Sequence, residues 1–473
     1  MIPRPLFSSL LLATAACRTS GNTGAPSPPL TTFAPPGYEA IALPVAADSA
    51  TAAGQHDVSI VARAGAIALS PGRPPVALWT YGGALPGPLI RARRGDHLIV
   101  RFRNDLPEPS TVHWHGVRVP NPMDGAHITQ PLVPPGGTFV YEFDLPDAGL
   151  YWYHPHHMSP KQVGFGLYGP ILVDDDTDPP SLGQTAMLVL SDLSLDANGA
   201  LLPDTAGGMD ASRQGREGSL ILINGRERPT VTVARNVRQR WRLVNASRSR
   251  FFRLQLDDHK LIRIGGDGGL LERPLAETDE LMLTPGERAD VTFVPRGADG
   301  TRHTLTLLPY DRGTGAAAPQ PLMTVVVQGE AASAPPPLPD RLRTIEALAP
   351  TADTPLDALV LGDRPEGFVI NGLLFGGGNN LPAKVGELRV YTVENHTIYD
   401  HPIHLHGFFF QRVSPIDFSP LEPLEWKDTV NVRALSAAAF AVRFDDRPGV
   451  WMLHCHILDH AEMGLSTVVE LRP

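Results

Sequence analysis

The sequence predicts an all-β protein built from β-sandwiches, and three observations carry that reading. Short runs rich in β-branched and aromatic residues recur along the chain, each bounded by Gly, Pro, Asn or Asp. Gly (45) and Pro (48) are well above average use, as many turns between short strands require. Stretches with the 3.6-residue period of an amphipathic helix are scarce.

The N-terminus reads as a targeting segment. A lone positive charge, Arg4, precedes an apolar run over 6–16, and Thr14-Ala15-Ala16-Cys17 closes it. The run is too short to span a bilayer and has the form of an export signal. Small residues directly before Cys17 resemble a bacterial lipobox. Residues 1–17 are therefore expected to be a signal that leaves Cys17 as a lipidated first residue, although Thr14 stands where Leu is usual. An ordinary signal peptide cut nearby is the alternative. Either way the protein is expected to be exported, to the periplasm or the cell surface, touching membrane only through such an anchor. Residues 18–36, rich in Ser, Thr, Gly and Pro, read as a flexible tether. No later stretch reaches 18 apolar residues.

Beyond the tether, strands are expected at 97–102, 138–143, 237–243 and 388–393. At 473 residues the chain is too long for one core. Composition shifts at 174–180 (Asp-rich, ending Pro-Pro) and 331–337 (Ala- and Pro-rich) divide it into pieces 37–178, 179–334 and 335–473. Each is roughly 140 residues, a normal sandwich size. A weak internal repeat supports the division: segments at 95–104, 236–245 and 386–395 each end near an Asn (Asn104, Asn245, Asn395).

A composition of 42% hydrophobic and 19% charged residues is that expected of a soluble globular protein. A formal charge of -10, with no basic run, argues against a nucleic-acid partner. Only two Cys occur, Cys17 and Cys455, so lipidation of Cys17 would exclude any disulfide. A single thiol in an exported protein then needs another explanation, and a metal is the obvious one.

The histidines supply it. Ten of the 17 His fall in four clusters: His113/His115, His154/His156, His401/His404/His406 and His454/His456/His460, the last containing Cys455. One His-x-His pair is usually an ordinary half-buried strand; four clusters around a lone Cys are not. On a strand, residues i and i+2 face one way and i+1 the other. His454 and His456 would therefore face one metal site and Cys455 another, with their shared backbone as a short covalent link. A thiolate with two imidazoles is the blue-copper set, and all-imidazole sites also suit copper. Zinc fits poorly, because ten imidazoles and a thiolate exceed what a tetrahedral site uses.

At these residues the chain resembles the multicopper oxidases, a family that includes laccases and bacterial copper-efflux oxidases. The resemblance rests on His113-Trp114-His115-Gly116, Tyr151-Trp152-Tyr153-His154-Pro155-His156, Gly166-Leu167-Tyr168-Gly169, the run from His401 to Gly407, and the Cys455 cluster. The middle piece joins through Asn224-Gly225 and Pro285-Gly286-Glu287-Arg288-Ala289-Asp290. The resemblance implies three cupredoxin-like Greek-key β-sandwich domains and four copper ions. His401, Cys455 and His460 would hold the type 1 copper, and His113 and His404 the type 2 copper. His115, His154, His156, His406, His454 and His456 would hold the type 3 pair. The outer pieces would then share the trinuclear cluster, and the middle piece would act as a spacer without ligands. Leu465, ten positions after Cys455, stands at the family's axial place beside type 1, and Met463 is expected to be loop packing. Asp124 matches an acid near the cluster that relays protons to reduced O2, a role a carboxylate can fill; the plain alternative is a turn Asp before Gly125. A second acid found in some relatives directly after the last type 1 His is replaced by Ala461.

The resemblance implies one-electron oxidation of a reducing substrate coupled to reduction of O2 to water. Cuprous-oxidising relatives often carry Met-rich inserts and an Asp/Met pair just before the motif at His401. This chain has nine scattered Met, and Thr397-Ile398-Tyr399-Asp400 at that place. Phenols or aromatic amines are therefore the expected donors, with Cu(I) or another metal ion as the alternative and a non-catalytic copper carrier as a third reading. The region 204–218 holds only Met209 and is expected to be a mobile loop. Asp400 is a candidate to attract a protonated amine or a phenol proton, or is a solvated loop charge. His157 adjoins a cluster but is expected to face away from His156, so packing rather than ligation is expected there, and His396, His127, His97, His259, His303 and His56 lack partner spacing. The protein is expected to be a monomer.

Overall fold

A computed structural model describes residues 31–473 apart from residues 71, 314–316 and 332. Cys17, the signal and most of the proposed tether lie outside these residues. Strands dominate, and the α-helices among the described residues, Ser159–Gly164, Gly208–Gln214 and Leu458–Glu462, are short. None of the helices is long and apolar enough to cross a membrane.

The strands form three two-sheet sandwiches. In the first, the strands Val76–Tyr81, Gln55–Ile67, His97–Asp105 and Thr138–Asp144 lie side by side. They face Ile90–Arg93, Gly169–Asp174, Gly149–His154 and His113–His115. The strand His97–Asp105 shows why: Leu98, Val100 and Phe102 point into the core while the residues between them face outward. The middle sandwich pairs a six-stranded and a five-stranded sheet around Trp241, Phe252 and Phe293. In the last, Leu381–Lys384, Ser466–Arg472, Gly449–Cys455, His401–Leu405 and Thr429–Val432 make one sheet, packed on a second of five strands.

The repeat of asparagines has a structural basis. Asn104, Asn245 and Asn395 are buried, and each accepts the backbone N–H two residues on (Leu106, Ser247, Thr397). Each amide also donates to a nearby loop carbonyl and to a more distant one, at Val133, Leu283 and Val432. The same buried side-chain turn thus closes the corresponding strand of all three sandwiches.

Two expectations shift. The strand expected from residue 237 begins at Gln239, because Asn236 takes a left-handed backbone (φ 63°) and turns the chain first. The end of the expected tether is structured, with Thr32–Phe33 paired to Leu43–Pro44, and Tyr38 and Ile41, expected in the first piece, are buried in the core of the middle sandwich. Burial of an aromatic side chain offsets the entropy of ordering that segment.

Candidate functional site

Two antiparallel strand pairs present most of the donors. In the first sandwich His113–His115 pairs with Gly149–His154, setting His113 opposite His154. In the last, His401–Leu405 pairs with Gly449–Cys455, setting His404 opposite His454 and Ile403 opposite Cys455. The helix Leu458–Glu462 then folds His460 back toward Cys455.

Within each of several groups, the donor atoms lie within 4.8 Å of one another. His401, Cys455 and His460 form one group. His115, His154 and His456 form another, and His156, His406 and His454 a third. His113 and His404 meet beside His115, and His113 also groups with Asp124 and His406. The alternation expected on the strand holds: His454 and His456 join imidazoles from the first sandwich, while Cys455 joins His401 and His460. Among the described residues, every such group draws only on the outer sandwiches.

Hydrogen bonds fix which ring nitrogen is free. A backbone carbonyl can only accept, so the nitrogen facing it carries the proton and the other keeps its lone pair. Nδ1–H of His113, His154, His404 and His454 donates to the carbonyls of Asp124, Pro155, Asp428 and Cys455 respectively. His460 uses Nε2–H toward the Arg213 carbonyl at 2.8 Å. The Thr397 hydroxyl donates to Asn395, so it accepts Nε2–H of His401. The remaining nitrogens face one another: Nδ1 of His401 and His460 are 3.0 Å apart, and Nε2 of His406 and His454 also 3.0 Å. Nε2 of His113, His154 and His404, Nδ1 of His115 and both nitrogens of His456 are buried without a partner. Converging lone pairs repel unless a cation lies among them, so this donor set fits metal ions and fits copper by its chemistry.

Burial keeps the rings neutral. It holds His115, His154, His156, His401, His406 and His456 well below the ordinary imidazole value, and His454 and His460 down to about 3. Burial pushes the Cys455 thiol up, so the thiolate needs a metal to form.

A second layer of groups orients the donors. The buried Asp124 accepts Nδ1–H of His406 on its carboxylate (2.9 and 3.1 Å) and that of His113 on its carbonyl (2.7 Å). Asp428, which the sequence reading did not single out, accepts from Nε2 of His115 and, through its carbonyl, from His404. Burial would raise its pKa, but Arg288 and His115 hold the carboxyl well below the usual range. No spacing rule marks Asp428, since it lies in a strand-leading turn far in sequence from His115.

The remaining candidates stand as follows. Leu465 is fully buried, and its carbonyl accepts the Cys455 N–H. Met463 packs at the edge of the same core. Asp400 is only 8% exposed and already holds the Tyr310 hydroxyl, the Asn431 amide and the Ala434 N–H, so it is not a solvated loop charge. The region 204–218 departs from the expected loop. It contains the helix Gly208–Gln214, and the Arg213 side chain bonds the carbonyls of Arg364 and Pro365. Arg216 pairs with the buried Asp459. Charged anchors, which a search for methionines passes over, fasten this segment over His460.

Multicopper oxidase family models match residues 66–178, 186–307 and 348–473. Multicopper oxidase MmcO of Mycobacterium tuberculosis is 33% identical over 444 residues, covering 84% of this chain and 83% of that protein. Laccase-1 of Cryptococcus neoformans var. neoformans is 26% identical, covering 84% and 77%. Among solved structures, a Campylobacter jejuni multicopper oxidase described as a metallo-oxidase superposes with a TM-score of 0.80 at 28% identity, covering 91% of this chain and 94% of that one.

Proposed function

Because this chain belongs to the multicopper oxidase family, an enzyme class that works with O2 and four coppers, we propose that it is a laccase-like oxidase of phenols or aromatic amines. His401, Cys455 and His460 would hold the type 1 copper, and His113 and His404 the type 2 copper. The sets His115/His154/His456 and His156/His406/His454 would hold the type 3 pair. Bound there, copper supplies one-electron oxidation at one end and reduction of O2 to water at the other.

The residues themselves do the positioning. Burial of all these donors excludes water, and it lowers the pKa of His115, His154, His156, His401, His404, His406, His454, His456 and His460. The carbonyls of Asp124, Pro155, Asp428, Cys455 and Arg213 set the tautomers, and Cys455 joins the two ends twice. Its backbone continues into His454 and His456, and its carbonyl accepts the His454 Nδ1–H at 2.8 Å. Asp124, whose carboxylate accepts Nδ1–H of His406, is the residue that would hand a proton toward the cluster in this reading.

The observation that carries the organic substrate is the surrounding of His460. Phe368 lies 4.4 Å and Tyr399 5.9 Å from its ring, centroid to centroid, and the segment over it brings a single methionine, Met209. Phe368 and His460 are fully buried, so these rings pack around the type 1 donors and are not a face for the substrate; what supports the organic donor is that the segment over His460 lacks the run of thioether ligands that Cu(I) favours. The Cryptococcus relative is named a laccase and the Campylobacter neighbour a metallo-oxidase, so the second reading is oxidation of Cu(I). The test is O2 uptake by copper-loaded protein with a methoxyphenol or with Cu(I) under matched conditions. Faster uptake with the phenol is expected, and faster uptake with Cu(I) would replace this reading by the second. We also propose export with a lipid anchor on Cys17; labelling with a radioactive fatty acid that is lost in Cys17→Ala tests it.

A further inference from the structure

We propose that Arg288 of the middle sandwich is a positioning residue for the trinuclear cluster, acting through Asp428. This rests on the assignment of His115 and His404 to that cluster. Every N–H of the Arg288 guanidinium has an acceptor, and the acceptors come from all three sandwiches. Nε–H donates to the Leu150 carbonyl (3.1 Å) in the first. Nη1 donates to the Gly286 carbonyl (2.9 Å) and to Asp428 Oδ1 (2.8 Å), and Nη2 to the Asp267 carbonyl (2.9 Å) and to Asp428 Oδ2. The two bonds to Asp428 are the parallel fork that only arginine makes with a carboxylate.

The fork decides how Asp428 stands. Its Oδ1 also accepts Nε2 of His115 (3.2 Å) and the Thr429 hydroxyl (2.9 Å), while its carbonyl accepts Nδ1 of His404. The proton of His115 is thereby placed on Nε2, leaving Nδ1 as its free donor atom. This is the reverse of His113, His154, His404 and His454, which keep Nε2 free. A carboxylate free to rotate would lose both the tautomer and the ring orientation.

Two glycines make room for the arrangement. A Cβ on Gly116, just after His115, would sit 2.4 Å from Arg288 Nη2 and 2.8 Å from Asp428 Oδ2. A Cβ on Gly286 would sit 2.9 Å from the His456 ring and 3.0 Å from His115 Cε1. Both residues have positive φ (86° and 87°), so their turns place bare backbone against the cluster. The middle sandwich thus shapes the cluster directly, with no ligand of its own.

The test uses Arg288→Met and Arg288→Lys in the full chain. The readouts are copper per chain after competition with a chelator, the blue type 1 absorption, the near-ultraviolet type 3 band and the type 2 EPR signal. Expected is a copper affinity at the cluster weakened about 10- to 100-fold in Arg288→Met, with the blue band per chain unchanged. Arg288→Lys should rescue it only partly, because a point charge lacks the fork. Arg240→Met is the control. That buried arginine pairs with Asp290 (2.6 Å) of its own sandwich and with Asp178 (2.7 Å) of the segment between the first and middle sandwiches, and touches no copper ligand; it should cost stability and leave the cluster spectra alone. Four coppers and unchanged type 2 and type 3 signals in Arg288→Met would overturn the proposal. So would parallel loss of type 1 and cluster copper matching the Arg240 control. If Arg288→Met does not fold, Asp428→Asn decides: loss of the type 3 band with the blue band kept supports the proposal, and an intact type 3 band refutes it.

Discussion

The His401–Cys455–His460 set and the eight-imidazole set are built differently. The first comes from one sandwich: two neighbouring strands and the five-residue helix that follows place all three donors. The second draws paired histidines from the first and last sandwiches, and its orienting layer (Asp124, Asp428, Arg288) reaches through all three. A mononuclear site needs only local folding, whereas the cluster needs the sandwiches docked in register. The shortest covalent link between the two is the His454-Cys455-His456 run.

That difference predicts separable failures. The largest effect should come from Cys455→Ser, which removes the thiolate. Blue colour and oxidase turnover should both vanish while cluster histidines still bind copper, and a serine variant that stayed blue would refute the type 1 assignment. Next is Asp124→Ala. Freeing His406 and leaving its Nδ1–H without a carboxylate should cost about 10- to 100-fold in activity or in cluster copper affinity, with the blue band kept. Equal loss of the blue band would break the separation.

The third prediction concerns pH. Burial holds the folded-state pKa of His454 and His460 at about 3, against about 6.5 in the unfolded chain. The unfolded state therefore binds protons that the folded state refuses, so copper-free protein loses stability as pH falls below about 6.5. At pH 5 each of these two groups should cost about 2 kcal/mol relative to neutral pH. Denaturant titration of the copper-free chain at pH 7 and pH 5 measures this, and equal stability at both would contradict the buried neutral rings. The smallest effect is expected from Leu465→Met. Adding a soft thioether beside type 1 should lower its potential and leave the cluster signals unchanged; an unmoved potential would remove Leu465 from the axial place.

These sites differ in how far they could be read from the chain. The donor clusters were legible because His-x-His on a strand projects two donors to one face, and because Cys455 stands alone in the described chain. The three sandwiches were legible in strand patterning and in the Asn104, Asn245 and Asn395 repeat, which proved to be one side-chain turn used three times. Asp428 was not, and Arg288 stood out only as part of the motif at 285–290 with no role attached, since an ion pair between residues 140 apart leaves no spacing signal. The segment 204–218 was read by its lack of methionines, while its anchors are arginines that pair with Asp459 and with backbone carbonyls. The inward packing of Tyr38 was hidden because its partners belong to the middle sandwich.

The measurement that bears most directly on the account is the stoichiometry of O2 consumption by copper-loaded protein oxidising a methoxyphenol. With both sites joined through Cys455, one O2 should disappear for every four phenol molecules oxidised by one electron each, and no hydrogen peroxide should accumulate. Peroxide release at two electrons per O2, or phenol oxidation that proceeds without O2, would contradict a cluster assembled as described.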